Sequence, residues 1–450
     1  MSADELARLA HLPSDDIVPA IDRAGARPVA PSAGVTRGGR STKTLGIASV
    51  TGHKVALAAS DARYHSHIVG PTGSGKSTLL LNLILADIRD RRGVVLIDPR
   101  GDLVNDILDQ LNPKTVAGRV VLIDPAQPGT PPGLPPIPDT TDSDVAIDHL
   151  VGICRNIFAQ HWGPRADDIL RQALRTQVKF ASRDFAGLSA LPILLTDKTK
   201  RARITADLAD PVLNGFWTWF DALPAGVQTQ AVGPVLARLR AILGREFVRQ
   251  TIGDPTPQHA VNFTHALDNG GIVLARLPKG HLGEDTAKFL GSILVARTWQ
   301  TITQRQTQPE ASRKDCSLYI DEAQNFLNLP QSVEDMLAEA RALRLSITLA
   351  HQHMAQLDRD LQAAVSANCR TKIYFTTSPE DAKTLARHTV PNLTEHDLAH
   401  LGAYTAACRT LTDGQQHRAF TMTTLPATGP RGEAATIRHH AATYPAYTTS

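Results

Sequence analysis

Short runs of valine, leucine and isoleucine recur along this chain, and several of them end on an acidic or polar residue. They lie at 93–98, 119–124, 271–277, 316–320, 345–350 and 371–376. Strands that are buried on both faces of a sheet have this nearly continuous apolar composition. Segments with helical periodicity, such as 102–111 and 284–304, separate the runs. The alternation predicts an α/β fold with a mostly parallel sheet flanked by helices.

A glycine-rich stretch follows the short apolar run 67–69 and precedes a leucine-rich helical segment. It fits the phosphate-loop pattern at every required position, and it consists of Gly70, Pro71, Thr72, Gly73, Ser74, Gly75, Lys76, Ser77 and Thr78. Glycines let the backbone wrap closely around a polyphosphate, and the N-terminus of the next helix adds a partial positive charge. The pattern predicts ATP binding, with Lys76 at the β- and γ-phosphates and Ser77 as a ligand of Mg²⁺.

The sequence also predicts how the chain is divided. Residues 125–138 contain seven prolines, which is typical of a linker, and 142–253 have helical periodicity with almost no strand signal. Alternating segments at 45–57 and 404–423 predict hairpins, the second one turned at Asp413-Gly414. The predicted parts are a flexible N-terminal arm (1–43), a nucleotide-binding domain in two pieces (44–138 and 256–425), an inserted all-helical subdomain (139–255) and a disordered C-terminal tail (426–450).

The apolar run at 316–320 leads directly into an acidic pair, Asp321-Glu322. A nucleotide hydrolase needs such a pair at a strand end beside its phosphate loop. We expect Asp321 to hold Mg²⁺ and Glu322 to orient and deprotonate the attacking water. A kinase acting on a small molecule does not need a water-activating glutamate at this place, so the pair favours hydrolysis.

Two further runs end on residues that would share the same sheet edge, because ligands of open α/β sheets lie outside the carboxyl ends of the strands. Gln352 follows the run at 345–350 and is expected to contact the γ-phosphate or the attacking water. The neighbouring His351 either takes part or only packs. Asp98 either caps the Gly101-Asp102 turn or has a catalytic role.

Arg341 and Arg344 lie between the acidic strand and the strand that leads to Gln352. Ring-shaped ATPases complete each site with an arginine that neutralises charge in the transition state, often from a neighbouring subunit. One of these two arginines is the candidate for that role, in cis or in trans. The alternative is a solvated basic helix end.

Composition excludes several other classes. The net charge is only +3, so any contact with nucleic acid requires local basic clusters, for which 198–203 and Arg238, Arg240 and Arg245 are candidates.

Four widely spaced cysteines indicate reduced thiols, and the His396/His400 pair lacks a third metal ligand. No apolar run approaches the ~18 residues of a membrane helix, and no secretory signal is visible. We therefore expect a cytoplasmic protein.

Taken together, the motifs at 70–78, 96–103, 318–326, 339–352 and 378–382 resemble those of the conjugative coupling ATPases of type IV secretion systems, within the wider FtsK/HerA class of DNA translocases. Stretches 162–170 and 279–285 are similar too, and the resemblance covers about 44–425. It implies a RecA-like phosphate-loop fold, a homohexameric ring with ATP sites between subunits, and passage of DNA through its channel. Ala323 departs from the family pattern, which usually has a bulky aromatic residue there.

Three functions stay open from the sequence. The resemblance favours an ATP-driven translocase that couples DNA to a conjugation or secretion apparatus, with channel or relaxosome proteins as partners. Such proteins often begin with membrane helices, so recruitment to the inner face of the membrane would need a partner. The alternatives are a HerA-like translocase in DNA repair or plasmid or phage maintenance, and an ATP-gated assembly protein that acts on other proteins.

Overall fold

The computed structural model describes residues 25–137, 142–180, 187–255 and 259–443. Their strands are β1 (Thr42–Ala48), β2 (Lys54–Ala58), β3 (Ser66–Val69), β4 (Gly93–Asp98), β5 (Val120–Ile123), β6 (Ile272–Arg276), β7 (Cys316–Asp321), β8 (Leu345–His351), β9 (Thr371–Tyr374), β10 (Thr405–Arg409), β11 (Leu411–Thr412), β12 (Gln415–Gln416) and β13 (Phe420–Thr424).

The first helices of the described residues are α1 (Ala59–Ala62), α2 (Lys76–Arg89), α3 (Asp102–Gln110) and α4 (Pro113–Val116). The region after the proline-rich segment forms α5 (Ser143–Ile157), α6 (Pro164–Phe180), α7 (Leu191–Thr196), α8 (Lys198–Thr205), α9 (Pro211–Ala222), α10 (Ala225–Leu243) and α11 (Glu246–Val248). The remaining helices are α12 (Phe263–Asp268), α13 (Lys279–Leu282), α14 (Glu284–Thr303), α15 (Val333–Ala340), α16 (Arg359–Asn368), α17 (Pro379–Leu385), α18 (Glu395–Ala399) and α19 (Ala434–Thr443).

Eleven strands form one sheet in the order β2-β1-β13-β10-β9-β3-β8-β7-β4-β6-β5. From β9 to β5 every neighbouring pair is parallel, whereas β10, β13, β1 and β2 extend the sheet in antiparallel fashion. The parallel-rich sheet predicted from the sequence is therefore confirmed. Both predicted hairpins form too, and they add the antiparallel strands beside β9.

The strands of the parallel part bury alternate side chains on opposite faces of the sheet. In β4, Val94 and Leu96 join a core with the helix after the phosphate loop, while Val95 and Ile97 face the core on the other side. That second core also contains apolar residues of α5, α6 and α10. The described residues of the insertion expected at 139–255 form helices joined by short turns, and they share a hydrophobic core with the sheet.

The N-terminal arm was predicted to be flexible to residue 43, and this is wrong for its described part. Val29 donates its N–H to Thr421 Oγ1 at 2.9 Å and accepts from the Thr421 N–H at 2.9 Å. Val35 is buried in the core, and β1 begins at Thr42. A proline- and glycine-rich composition hides such packing, because extended chain can dock along strands without any periodicity. Residues 1–24 lie outside the described residues.

The predicted disorder of the C-terminal tail is wrong over 434–443. Helix α19 buries Ile437, and Arg438 Nη1 donates to Asp124 Oδ2 at 2.8 Å. Arg438 Nη2 also donates to Asn105 Oδ1 at 2.7 Å. These contacts involve a few residues of the helix only, which is too little to produce a visible pattern in an Ala/Thr-rich sequence. Residues 444–450 lie outside the described part of the chain. Within the described ranges, no helix has the length and apolarity needed to cross a bilayer.

Candidate functional site

Four parallel strands end side by side at one edge of the sheet, and the loops after them carry the predicted site residues. Val69 at the end of β3 pairs in register with His351 of β8, and Asp321 of β7 pairs with Ala350. On the other side of β7, Ile320 pairs with Ile97 of β4. The loops that follow these strands therefore emerge next to one another.

The phosphate loop turns tightly between β3 and α2. Gly73 and Gly75 have φ angles of 81° and 112°, which side chains rarely adopt, and Gly75 caps the N-terminus of α2. A Cβ atom on Gly70 would lie 2.6 Å from Ser74 Oγ and 2.8 Å from Phe375 Cβ, so no other residue fits there. Ser74, Gly75 and Lys76 are buried, whereas Thr72, Gly73 and Ser77 face solvent. Pro71 and Thr78 are half-buried.

Lys76 and the acidic pair meet at this edge although 245 positions separate Lys76 from Asp321 along the chain. Lys76 Nζ lies 3.1 Å from Asp321 Oδ1 and 3.4 Å from Glu322 Oε1. All three side chains are no more than 6% exposed. Apart from its ion pair with Lys76, Asp321 Oδ1 has no hydrogen-bond partner within the described part of the chain, so this buried oxygen keeps acceptor capacity for a cation.

Glu322 adopts a left-handed backbone conformation, with φ 52° and ψ 53°. Such a conformation costs on the order of 1–3 kcal/mol for a residue other than glycine, and such residues concentrate at functional sites. The short 3₁₀ turn Ala323–Asn325 holds it, because Asn325 donates both its N–H and its side-chain amide to the Glu322 carbonyl, at 3.0 and 3.1 Å. The turn places the Glu322 carboxylate within reach of Lys76 and Gln352.

The carboxylate of Glu322 is surrounded by donors. Gln352 Nε2 donates to Oε1 at 2.6 Å, and Gln324 Nε2 donates to Oε2 at 3.1 Å. Burial raises the pKa of Glu322, but the charge of Lys76, these two hydrogen bonds and the charge of Arg100 together bring the pKa below its ordinary value. Glu322 is therefore ionised at neutral pH, as a proton acceptor must be.

Arg100 belongs to this cluster, although no motif of the sequence predicted a role for it. Its Nη2 lies 3.2 Å from Glu322 Oε1, and its Nη1 lies 3.2 Å from Thr72 Oγ1 of the phosphate loop. The available signal was its position two residues after β4, since β4 ends at the same edge as β7. Gln324 was missed for a different reason: it lies beyond the strand end, on a turn whose direction the sequence does not reveal.

Asp98 and His351 have structural roles. The Asp98 carboxylate accepts from the N–H groups of Arg100, Gly101 and Val104 at 2.9, 2.8 and 3.1 Å, so it caps the start of α3. Burial raises its pKa, against the effect of these three bonds. His351 is fully buried, and burial lowers its pKa to about 4.

The environment of His351 also fixes its tautomer. Its Nδ1 lies 3.0 Å from the His353 carbonyl, which can only accept, so Nδ1 carries the proton. Its Nε2 then accepts from His67 Nε2 at 2.7 Å. A neutral ring with both nitrogens engaged cannot serve as the base, and of the two expectations for His351, packing is the one its geometry supports.

Arg341 and Arg344 lie at the opposite edge of the sheet. Arg344 directly precedes β8, and its Nη1 donates to the Arg313 carbonyl at 3.0 Å. Arg341 stacks on the Tyr64 ring, 3.9 Å from the ring centroid. Seven residues of β8 separate this edge from Gln352, a distance of roughly 20 Å. Within one chain neither arginine reaches the site, so only a neighbouring subunit could use them there.

Some of the basic residues that were predicted to contact nucleic acid already interact with other residues of the chain. Arg201 of the 198–203 cluster is buried and pairs with Asp221, while Lys198, Lys200 and Arg203 are exposed on α8. Arg238 packs over the Phe158 ring, Arg245 donates to the His281 carbonyl at 2.8 Å, and Arg240 is exposed. His396 and His400 stack on each other, and the described residues contain no group of three potential metal ligands.

Comparison with known proteins points in one direction. Residues 315–389, which include Asp321, Glu322 and Gln352, match a family model described as the TraM recognition site of TraD and TraG. A search among curated proteins found no match. Among solved structures, the bacterial conjugative coupling protein TrwBdeltaN70 superposes with a TM-score of 0.62 at 17% identity, covering 88% of this chain and 91% of that one. The chain has the fold of the conjugative coupling proteins.

Two further structures agree with this coupling-protein fold. The plasmid coupling protein TrwB in complex with ADP and Mg²⁺ matches with a TM-score of 0.61 at 16% identity, over 90% of this chain and 96% of that one. VirB4 of Thermoanaerobacter pseudethanolicus matches with a TM-score of 0.58 at 15% identity, over 88% and 99%. The resemblance seen in the motifs is thus confirmed for the phosphate-loop fold and for the matched segment.

Proposed function

We propose that this chain is an ATP-hydrolysing DNA translocase that couples DNA to a conjugation or type IV secretion apparatus. The observation that carries the proposal is the convergence of Lys76, Asp321, Glu322 and Gln352 at one sheet edge. The match of 315–389 to a region of TraD and TraG supports it. So do the TrwB structures, which are described in complex with ADP and Mg²⁺ and with a non-hydrolysable ATP analogue.

The residues present fit a nucleotide and Mg²⁺. The glycine-lined loop and the N-terminus of α2 would bind the phosphates, and Lys76 is buried at their expected position. The Asp321 carboxylate, beside Lys76, and the hydroxyl of the exposed Ser77 would supply the hard oxygen ligands that Mg²⁺ prefers. When bound, the ion would neutralise charge on the β- and γ-phosphates.

The hydrolysis step follows from the remaining side chains. Glu322 accepts a proton from a water molecule whose oxygen attacks the γ-phosphorus. The bond between that phosphorus and the bridging oxygen breaks, and ADP leaves with the electron pair. Gln352, 2.6 Å from Glu322, orients the carboxylate and the water. General-base catalysis of this kind contributes about 10²–10⁴-fold to the rate.

DNA and protein partners complete the proposal. The chain would act as a homohexamer around DNA, with phosphate contacts from exposed basic residues such as Lys198, Lys200 and Arg203. Because such contacts are electrostatic, binding would be independent of sequence and sensitive to salt. Relaxosome or secretion-channel proteins are the expected partners, and one of them would recruit the ring to the membrane.

The test is the ATPase rate of the purified chain with and without single- and double-stranded DNA, over a series of salt concentrations. We expect DNA to stimulate turnover and the stimulation to decline as salt rises. Lys76→Ala should abolish tight nucleotide binding and turnover, whereas Lys54→Ala, at an exposed lysine, should change neither. Absence of stimulation at the lowest salt would contradict translocation and favour an ATP-gated assembly protein. Particle sizing with ADPNP and DNA tests the hexamer.

A further inference from the structure

Besides Lys76, a second cationic side chain, that of Arg100, lies next to Glu322. The guanidinium of Arg100 bridges Thr72 Oγ1 of the phosphate loop and Glu322 Oε1, each at 3.2 Å. If the site binds ATP, the γ-phosphate must lie next to both Lys76 and Glu322, because Lys76 binds the phosphate and Glu322 faces the attacking water. Arg100 borders this same space.

The backbone of Arg100 is held firmly. Its N–H donates to Asp98 Oδ1 at 2.9 Å, and the N–H of Gly101 donates to the same oxygen at 2.8 Å. Gly101 has a φ of 91°, and a Cβ atom there would lie 2.3 Å from Arg276 Nε. A buried carboxylate and close packing thus fix the turn. They hold the Cα and Cβ atoms of Arg100 in place relative to the phosphate loop.

The guanidinium group of Arg100 is less constrained than the backbone of this residue. The Arg100 side chain is 42% exposed, whereas that of Glu322 is 6% exposed. Glu322 Oε1 already accepts from Gln352 at 2.6 Å and lies 3.4 Å from Lys76 Nζ, so its charge is compensated without Arg100. A guanidinium has five N–H donors in a planar fork that suits a phosphate group, and only part of that capacity is used here.

We propose that Arg100 is a catalytic arginine supplied in cis, which binds the γ-phosphate of ATP and lets the site distinguish ATP from ADP. The inference rests on the proposed ATP hydrolysis and adds a residue to it. Arg100 would supply within one chain the positive charge that Arg341 and Arg344 cannot supply from the opposite sheet edge. Its fork also touches Glu322, so it would couple the presence of the γ-phosphate to the position of the base.

The experiment compares wild type with Arg100→Ala and Arg100→Lys. Affinities for ADPNP and for ADP, each with Mg²⁺, are measured by competition against a fluorescent nucleotide, and turnover is measured by phosphate release. Arg89→Ala is the matched control, since Arg89 is 69% exposed at the far end of α2. Thermal unfolding of every variant reports folding.

Removal of the guanidinium should weaken ADPNP binding about 10-fold or more, because hydrogen bonds to charged groups are the strong ones. ADP affinity should stay within about twofold, since ADP lacks the γ-phosphate, and turnover should fall about 10²-fold or more. Arg100→Lys should fall between wild type and alanine, because it keeps the charge but loses the fork.

An unchanged ratio of ADPNP to ADP affinity in Arg100→Ala would overturn the proposal, even with reduced turnover, because Arg100 would then act only through Glu322. Faster turnover in that variant would also overturn it. Failure of the proposed function would look different: the wild-type chain itself would bind neither nucleotide.

Discussion

The side-chain amide of Gln352 lies 2.6 Å from Oε1 of Glu322, which joins the ends of β8 and β7 beside the phosphate loop. The contact links the two polar residues that the chain places at neighbouring strand ends. It also fixes the orientation of the Glu322 carboxylate, and the backbone of Glu322 is in a strained, left-handed conformation.

Glu322→Gln should bind ATP but hydrolyse it about 10²–10⁴-fold more slowly, because the amide keeps the shape of the side chain and cannot accept a proton. Nucleotide affinity and phosphate release are measured on the same preparation. Glu334→Gln, at an exposed glutamate in the first turn of α15, is the control. Turnover of Glu322→Gln at the wild-type rate would show that another group is the base.

Gln352→Leu should move the acid limb of the kcat/KM profile to higher pH. Glu322 must be ionised to act, and its pKa is held below the ordinary value in part by the hydrogen bond from Gln352. That bond favours the charged form, so its loss raises the pKa, and activity is lost earlier as the pH falls. Initial rates are measured from about pH 4 to about pH 8. Gln415→Leu, exposed on β12, should leave the limb in place, and an unshifted limb in Gln352→Leu would contradict the assignment.

Arg341 and Arg344 can serve the site only across a subunit boundary, so their loss should be complementable. Arg341→Ala or Arg344→Ala subunits, inactive alone, should regain turnover when mixed with Lys76→Ala subunits. In an equal mixture roughly a quarter of the interfaces would combine an intact loop with an intact arginine. Turnover is measured against the fraction of each subunit. If all mixtures stay inactive while both variants fold, neither arginine acts in trans.

Lys43→Met should lower the free energy of unfolding by about 3 kcal/mol or more, because it strands a buried charge. Lys43 Nζ donates to Asp87, Ser317 and Tyr319 at 2.7, 3.0 and 3.2 Å, and the Asp87 side chain is fully buried. Burial lowers the pKa of Lys43, while Asp87 opposes the shift. Urea denaturation measures the change.

The control for this change is Lys54→Met, at an exposed lysine, which should alter stability little. The double variant Lys43→Met/Asp87→Leu should recover part of the loss, since it removes both buried charges. A Lys43→Met protein as stable as wild type would show that Arg92, whose Nε lies 3.3 Å from Asp87 Oδ1, compensates Asp87 alone.

The sequence by itself determined the features that depend on local composition and spacing. The apolar runs predicted the parallel strands, because strands buried on both faces must be apolar throughout. The loop at 70–78 and the acids at 321–322 were found because phosphate binding and water activation need particular residue types at fixed positions. The turn at Asp413-Gly414 was predicted because Asp and Gly tolerate the positive φ that such turns need. Both residues adopt it in the structure, at 51° and 75°.

Only the tertiary structure decided which residues meet across long separations. The strand order, with β3 between β9 and β8, brings Lys76 to Asp321 and Glu322 and brings Arg100 to both the loop and the base. It also carries Arg341 and Arg344 to the opposite edge and provides the surface on which α19 packs. No local pattern encodes these meetings, because strand order in a parallel sheet depends on how helices cover both of its faces rather than on the composition of any one strand.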